Sequence, residues 1–124
     1  MKAVYAAGTD YADPLSKLRV GELEEPQRKP FWSNIRVASA SVNHHDIWSL
    51  QGVGLAADQT PMILGTDAAG VLEEDIPVRK GLKAGSEVVL YTFVGTDGSG
   101  VMPGERRTIL SEKYAGTMAE ITQV

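Results

Sequence analysis

The stretch NIRVASASVNHHDIWSLQG, residues 34–52, contains the transition that decides the fold. Residues 34–42 place apolar side chains on both alternating faces, which predicts a strand buried on much of both sides and therefore central in its sheet. The period then changes, because Ile47 and Leu50 lie three residues apart and Gly52 follows where a helix can end. The stretch predicts a central strand that leads into one short helix, His44–Gln51.

The junction between this strand and this helix concentrates polar side chains. Asn43 is a favourable N-cap, and Asp46 stands three residues later, at the position of a capping-box acid. This structural role leaves a binding role open for both residues. His44 and His45 are adjacent, so their side chains point in different directions, and a single metal ion bound by both has poor geometry.

The chain before and after this stretch consists of short apolar runs separated by 13 glycines and six prolines. Such spacing is typical of a β-rich domain with many turns. On the N-terminal side we expect strands over residues 2–6 and 17–23, then an exposed crossing loop over residues 24–30. On the C-terminal side a loop over residues 52–61 follows the helix.

The C-terminal half contains the remaining strand signals. Residues 65–72 are mostly small and permit close backbone approach, and the acidic residues 73–75 predict a solvated edge or turn. Residues 87–94 carry the strongest continuous strand signal, from β-branched and aromatic side chains. We expect a loop over residues 95–107 and a last strand over residues 116–124.

Composition limits the function classes. The chain has 124 residues and a formal net charge of -4, which predicts one domain without a basic patch for nucleic acid. It has no cysteine, so disulfides, thiolate catalysis and cysteine-based metal sites are excluded. No secretory signal and no membrane-spanning run is visible. We expect a cytoplasmic protein without nucleic acid or membrane partners.

Two other motifs have no specific meaning. Residues 95–100 are rich in glycine but lack the spacing and the following helix of a phosphate-binding loop. Ser41, Ser49 and Ser111 lie outside any nucleophile elbow, which argues against a serine hydrolase.

Five motifs follow one another in an order that resembles a known family. They are KAV (2–4), RVASASVNHHD (36–46), PMILGTDAAGV (61–71), KAGSEV (83–88) and GTMAE (116–120). Together they are similar to the N-terminal GroES-like domain of medium-chain dehydrogenases/reductases, the superfamily of alcohol dehydrogenases and quinone oxidoreductases. The resemblance implies a mainly β fold, a partly open β-barrel with one or two short helices, over residues 1–124.

The sequence departs from the zinc-dependent members of this family. Asn43 stands where they have a cysteine ligand to the catalytic zinc ion, and Thr66 stands where they have a histidine ligand. The cysteines of their structural zinc lobe are missing as well. The resemblance is therefore to zinc-independent, quinone-oxidoreductase-like members, which use NAD or NADP and imply a quinone, an enone or an alcohol/carbonyl substrate.

The resemblance also implies roles for individual residues. His44 matches the position that contacts the cofactor pyrophosphate, and Asn43 is expected near the nicotinamide. Thr66, Asp67 and Trp48 are expected in the substrate pocket. His45 matches the hydroxyl that relays a proton in zinc members, and imidazole can supply a proton near neutral pH. The alternative for His45 is that it only fills the first helical turn.

Family members continue into a dinucleotide-binding Rossmann domain, which is absent from this sequence. We expect a domain fragment, inactive alone, that depends on that domain in the same chain or in another chain, and a homodimer is compatible with this reading. The alternative is a stand-alone GroES-like module for binding or oligomerisation, because a fold alone does not determine a function. Native mass separates the two, since a ring-forming module would assemble as a heptamer.

Overall fold

Strands make up most of the regular structure in the computed structural model, which describes residues 1–30, 32–76, 81–95 and 108–124. The strands of this part of the chain are β1 (Lys2–Ala6), β2 (Leu18–Glu22), β3 (Asn34–Ala40), β4 (Met62–Ile63), β5 (Ala68–Leu72), β6 (Glu87–Val89), β7 (Phe93–Val94), β8 (Thr108–Ile109) and β9 (Ile121–Gln123). The helix is α1 (His44–Gln51), and short 3-10 helices occupy Pro14–Lys17 and Ala57–Gln59. No helix in these ranges is both long and apolar enough to cross a bilayer.

The strands form three antiparallel sheets. The first has the order β2-β1-β4, the second has the order β6-β5-β3-β9, and the third pairs β7 with β8. In the described part of the chain these sheets stay open and do not close into a barrel. The predicted fold class, a mainly β, GroES-like, partly open barrel with one or two short helices, is confirmed, with open sheets and one α-helix in the described residues.

The strand β3 lies inside the four-stranded sheet, between β5 and β9, as the sequence predicts. The predicted burial of both faces is wrong, because four of its seven residues are exposed and only Ile35 is fully buried. Ile35 of β3 is 1% exposed and packs in a core cluster with Leu72 and Leu90. Burial of such a side chain stabilises the fold by about 1.5–3 kcal/mol. The strand ends at Ala40 and not at residue 42, after an irregularity in its pairing with β5. Its end therefore points toward the start of α1.

A second core cluster joins α1 to the first sheet. Its buried members are Ala6, Leu50, Leu55, Met62 and Leu64. Leu50 on α1 is 1% exposed, and Ala6 at the end of β1 is 0% exposed. The helix α1 is therefore anchored by its apolar face against β1 and β4.

Small residues allow the backbone to approach itself closely, as residues 65–72 predict. A Cβ added at Gly70 would collide with the carbonyl oxygen of Arg36 on β3. Gly65 has a φ of +92°, and a Cβ there would lie 2.5 Å from the hydroxyl oxygen of Thr117. These two glycines set the distance between neighbouring segments near the end of β3.

Three further strand predictions are wrong in extent. The run 87–94 is divided into β6 and β7 in different sheets, because the ladder with β5 ends where the Leu90 N–H donates to Ala68. The run 116–124 is a strand only over Ile121–Gln123, because Gly116 packs against the backbone carbonyls of residues 63–65. In addition, Lys17 ends a 3-10 helix, so β2 begins one residue later than predicted.

The loops follow the sequence more closely. Residues 24–30 have no regular structure and are mostly exposed, and Glu73 and Glu74 lie in a bend after β5, both as predicted. The loop 52–61 contains the 3-10 helix Ala57–Gln59. Of the predicted loop 95–107, residues 96–107 lie outside the described residues.

Candidate functional site

The helix α1 begins and ends where the sequence predicts. Asn43 has extended backbone angles at the N-cap, and Gly52 has a φ of +88° at the C-terminus. This left-handed conformation is easy for glycine, and the Gly52 N–H donates to the Ser49 carbonyl at 3.0 Å. Local sequence signals alone therefore determine where α1 begins, and the candidate site lies at this end of the helix.

The buried carboxylate of Asp46 connects two segments. One oxygen accepts the backbone N–H of Asn43 at 2.7 Å, which is the predicted capping-box contact. The other oxygen accepts the backbone N–H of Gly65 at 2.9 Å. Asp46 is 3% exposed, and its role is to hold the turn before Thr66 next to the start of α1.

This connection brings together a polar cluster of Ser41, Asn43, Thr66 and Asp67. The side-chain amide nitrogen of Asn43 lies 3.3 Å from the Thr66 hydroxyl and 3.2 Å from the Ser41 hydroxyl. It also lies 3.5 Å from a carboxylate oxygen of Asp67. Three of the four members are residues that the family resemblance singles out.

Asp67 is held in place by Ser41. The Ser41 hydroxyl lies 2.8 and 2.9 Å from the two carboxylate oxygens, and the Ser41 backbone N–H lies 3.3 Å from one of them. The Asn43 amide thus has two hydrogens and three weakly placed acceptors. A ligand oxygen can take one of these hydrogens without leaving a buried group unpaired.

An open groove of about 370 Å³ runs beside the polar cluster. It is lined by residues 39–41 at the end of β3, residues 67–69 at the start of β5, and Val89 on β6. Val89 is 82% exposed. Of the predicted pocket residues, Asp67 lines this groove and Thr66 is buried at 8% exposure. The groove can receive an apolar ligand with its polar end at the cluster.

Trp48 and His44 lie together on the outer side of α1. Their ring centroids are 5.6 Å apart with a tilt of 51°, and Trp48 is 49% exposed. His44 is also exposed. The structure thus places His44, the predicted cofactor-binding residue, beside Trp48, a predicted pocket residue. Both side chains are accessible to a bound molecule.

His45 faces a different part of the chain. Its Nε2 atom lies 3.1 Å from a carboxylate oxygen of Glu112, and its Nδ1 atom lies 3.4 Å from the Ser49 hydroxyl. Within the described residues no hydrogen bond joins His45 to the polar cluster. No motif or spacing points to Glu112, which lies 67 residues from His45. Ser41 could have been found, because it lies two residues before Asn43 and at the same strand end.

The polar cluster does not suit a zinc ion. Zinc in proteins takes thiolate, imidazole or carboxylate ligands in a tetrahedral arrangement. Only Asp67 offers such a group, and its carboxylate already accepts hydrogen bonds from the hydroxyl and the backbone N–H of Ser41. Among the residues that the structure describes, no three His, Cys, Asp or Glu side chains are placed to hold a metal ion. The donor set fits hydrogen bonding to a neutral ligand better.

Comparison with protein families finds a match. The model of the alcohol dehydrogenase GroES-like domain matches residues 29–124, more than half of the chain. Comparison with curated proteins finds no match. The family match covers β3, α1 and β5, the elements that carry the polar cluster.

Comparison with solved structures finds alcohol dehydrogenases. An NAD-dependent alcohol dehydrogenase is 29% identical with a TM-score of 0.79, and the similarity covers 100% of this chain and 37% of that one. A thermostable alcohol dehydrogenase from Pyrobaculum aerophilum is 27% identical with a TM-score of 0.80, covering 100% and 38%. Its cobalt- and zinc-bound structure is 27% identical with a TM-score of 0.79, covering 100% and 39%. The chain thus spans less than two fifths of the length of these relatives.

Proposed function

Because the chain belongs to the family of alcohol dehydrogenase GroES-like domains, we propose that it is the substrate-side domain of a nicotinamide-dependent oxidoreductase that needs no catalytic zinc ion. The polar cluster carries this proposal. Asn43 and Thr66 stand at the positions of two zinc ligands in related enzymes. Here the Asn43 side-chain amide donates a hydrogen bond to the Thr66 hydroxyl at 3.3 Å.

In this proposal the Asn43 amide polarises the substrate. A carbonyl oxygen of a quinone, an enone or a ketone accepts one amide hydrogen, and negative charge that develops on this oxygen strengthens the hydrogen bond. Thr66 and Ser41 hold the amide in orientation from two sides. Asp67, fixed by Ser41, borders the groove that receives the apolar part of the substrate.

His44 and His45 complete the proposed site. When bound, NAD or NADP supplies the hydride, which is chemistry that no side chain of this domain can perform. The exposed imidazole of His44 at the start of α1 suits an anionic phosphate of that cofactor, because the N-terminus of a helix is electropositive. Trp48, which contacts His44, borders the same surface. His45 is the proposed proton donor.

The remaining parts of the enzyme are also proposals. The solved relatives are more than twice as long as this chain, which supports a dinucleotide-binding domain in the same chain or in a partner chain. In this view residues 1–124 form one GroES-like domain of a cytoplasmic enzyme that acts on a small-molecule substrate. A homodimer is compatible with this proposal. Residues 1–124 on their own are expected to be inactive, because the proposed hydride transfer needs a cofactor domain.

A domain exchange tests the proposal. Residues 1–124 replace the corresponding 38% of the Pyrobaculum aerophilum alcohol dehydrogenase, and oxidation of NADH and NADPH is followed with quinones, enones and ketones. We expect turnover that survives removal of zinc by a chelator. Asn43→Ala should lower turnover by about 100-fold, as the loss of one oxyanion donor does in other enzymes.

A matched control separates this effect from instability. Gln27→Ala removes an amide of the exposed loop 24–30 and should leave turnover unchanged. His45→Gln should lower turnover by about 100-fold if His45 is the general acid. Activity that requires added zinc, or an Asn43→Ala chimera with full turnover, would contradict the proposed function.

A further inference from the structure

The Asp67 carboxylate lies next to the Asn43 amide and borders the groove beside the polar cluster. The amide nitrogen and the nearer carboxylate oxygen, Oδ1, are 3.5 Å apart. We infer that this pair selects α-hydroxy carbonyl substrates, in which a hydroxyl group stands on the carbon atom next to the carbonyl carbon. The inference rests on the proposed function, in which Asn43 binds the carbonyl oxygen, and it makes Asp67 the residue that determines specificity.

The hydrogen bonds of the polar cluster leave Asp67 with acceptor capacity for a ligand. Oδ1 accepts the Ser41 backbone N–H at 3.3 Å and lies 2.8 Å from the Ser41 hydroxyl and 3.5 Å from the Asn43 amide. Within the described part of the chain, Oδ2 meets only the Ser41 hydroxyl, at 2.9 Å. This hydroxyl has one hydrogen and cannot donate it to both oxygens. Each carboxylate oxygen can accept two hydrogen bonds, so Oδ2 can accept one from a ligand.

A ligand that uses both groups must present an acceptor and a donor side by side. The Asn43 amide donates to a carbonyl oxygen, whereas an ionised carboxylate only accepts, so Asp67 needs a donor on the ligand. A simple ketone has no such donor, while an α-hydroxyketone carries one on the neighbouring carbon atom. An α-hydroxyketone therefore satisfies Asn43 and Asp67 together, and its hydrogen bond to the carboxylate is strengthened by the charge of the acceptor.

The groove fits the remainder of an uncharged molecule of this class. It has a volume of about 370 Å³, and the small residues Ala40, Ala68 and Ala69 line it together with Val89. Asp67 is the one charged residue among the described residues that line the groove. No cation there balances a carboxylate or a phosphate group on the ligand, and Asp67 repels both. The preferred substrate is therefore neutral, with an alkyl group beyond the two oxygens.

Binding of two isomeric ketones to the chain tests the inference. Acetoin carries its hydroxyl group on the carbon atom next to the carbonyl, and the second isomer carries it one carbon atom further away. The two differ only in the position of the donor. The readout is the Asn43 side-chain amide signal in a proton–nitrogen correlation spectrum, assigned by its loss in Asn43→Ala. We expect acetoin to bind about tenfold more tightly, as one hydrogen bond to a charged group predicts.

Three variants show whether Asp67 causes this preference. Asp67→Ala removes the acceptor and should bind both isomers equally. Asp67→Asn keeps the size of the side chain without its charge and should reduce the preference about threefold. The matched control is Asp58→Ala, which removes a carboxylate from the exposed 3-10 helix Ala57–Gln59 and should keep the full preference.

Equal affinity of the wild-type chain for both isomers would overturn the inference, and so would a preference that survives in Asp67→Ala. If circular dichroism shows that Asp67→Ala does not fold, an undiminished preference in Asp67→Asn overturns it instead. If neither isomer moves the Asn43 signal, the inference fails together with the proposed role of Asn43. Equal binding of both isomers leaves that role intact, so the two failures can be distinguished.

Discussion

The carboxylate of Asp46 accepts the backbone N–H of Gly65 at 2.9 Å inside the protein. Its other oxygen accepts the N–H of Asn43 at 2.7 Å. One side chain therefore fixes the start of α1 and the turn that leads to Thr66. Asn43 and Thr66 reach each other because Asp46 holds the backbone of Asn43 and that of Gly65, the residue before Thr66.

Replacement of Asp46 tests this relationship. Asp46→Ala leaves the N–H groups of Asn43 and Gly65 without their acceptor, and the second of these contacts is buried. We expect the free energy of unfolding to fall by about 2–4 kcal/mol, since an unsatisfied buried donor is costly. Urea denaturation measures the loss. Asp58→Ala, in the exposed 3-10 helix Ala57–Gln59, is the control and should have little effect.

The sequence could predict the parts of the site that depend on local signals. The N-cap Asn43, the acid Asp46 and the terminal Gly52 lie within ten residues, so capping rules locate α1 without tertiary information. Close approach at Gly65 and Gly70 was predicted for the same reason, because only glycine tolerates it.

Contacts between distant segments could not be predicted in this way. No periodicity connects His45 with Glu112, since their contact depends on how the chain returns after β8. Likewise, β propensity identifies residues 87–94 as extended but does not show where the ladder partner β5 ends. The division into β6 and β7 is therefore a tertiary effect.

The close approach of β5 to β3 gives a second prediction. Gly70→Ala would press a methyl group against the Arg36 carbonyl oxygen and to within 2.9 Å of the Ile35 side chain. Since neither neighbour can move without disturbing the central sheet, we expect a loss of about 3 kcal/mol in chemical denaturation. Gly8→Ala is the control, because its nearest neighbour is Lys17 at 3.7 Å. An equal loss in both variants would contradict the packing argument.

Asp75 gives a prediction about pH. The backbone N–H of Ala84 and then the Lys83 ammonium group, both at 2.9 Å, hold the pKa of Asp75 below its ordinary value of 3.8. The ionised form is thus favoured in the folded chain, and its stabilisation is present above pH 3.8 and lost as the pH falls through the lower folded value. Asp75→Asn should unfold more easily than wild type at pH 7.

The difference between wild type and Asp75→Asn should persist down to about pH 4 and shrink below it. Denaturation midpoints at several pH values measure this. Lys83→Met keeps the larger cause, the Ala84 N–H, so most of the pH dependence should remain in that variant. A difference that is the same at acidic and neutral pH would show that Asp75 acts through something other than its charge.

The last prediction concerns zinc. In the wild-type chain we expect no stoichiometric zinc by elemental analysis, because the polar cluster offers one carboxylate, an amide and two hydroxyls.

Asn43 and Thr66 are 3.3 Å apart at their polar atoms, and Asp67 lies 3.5 Å from Asn43. The double variant Asn43→Cys, Thr66→His therefore places a thiolate and an imidazole beside that carboxylate, which is a donor set that zinc prefers. We expect a micromolar dissociation constant, equivalent to about 8 kcal/mol, in competition with a chromophoric chelator. Adding Asp67→Asn to the double variant should weaken binding at least about tenfold, since it removes the third ligand. Tight zinc binding by the wild-type chain would contradict the prediction that its polar cluster holds no zinc ion. Failure of the double variant to bind zinc would mean that the side chains at these three positions cannot reach one ion.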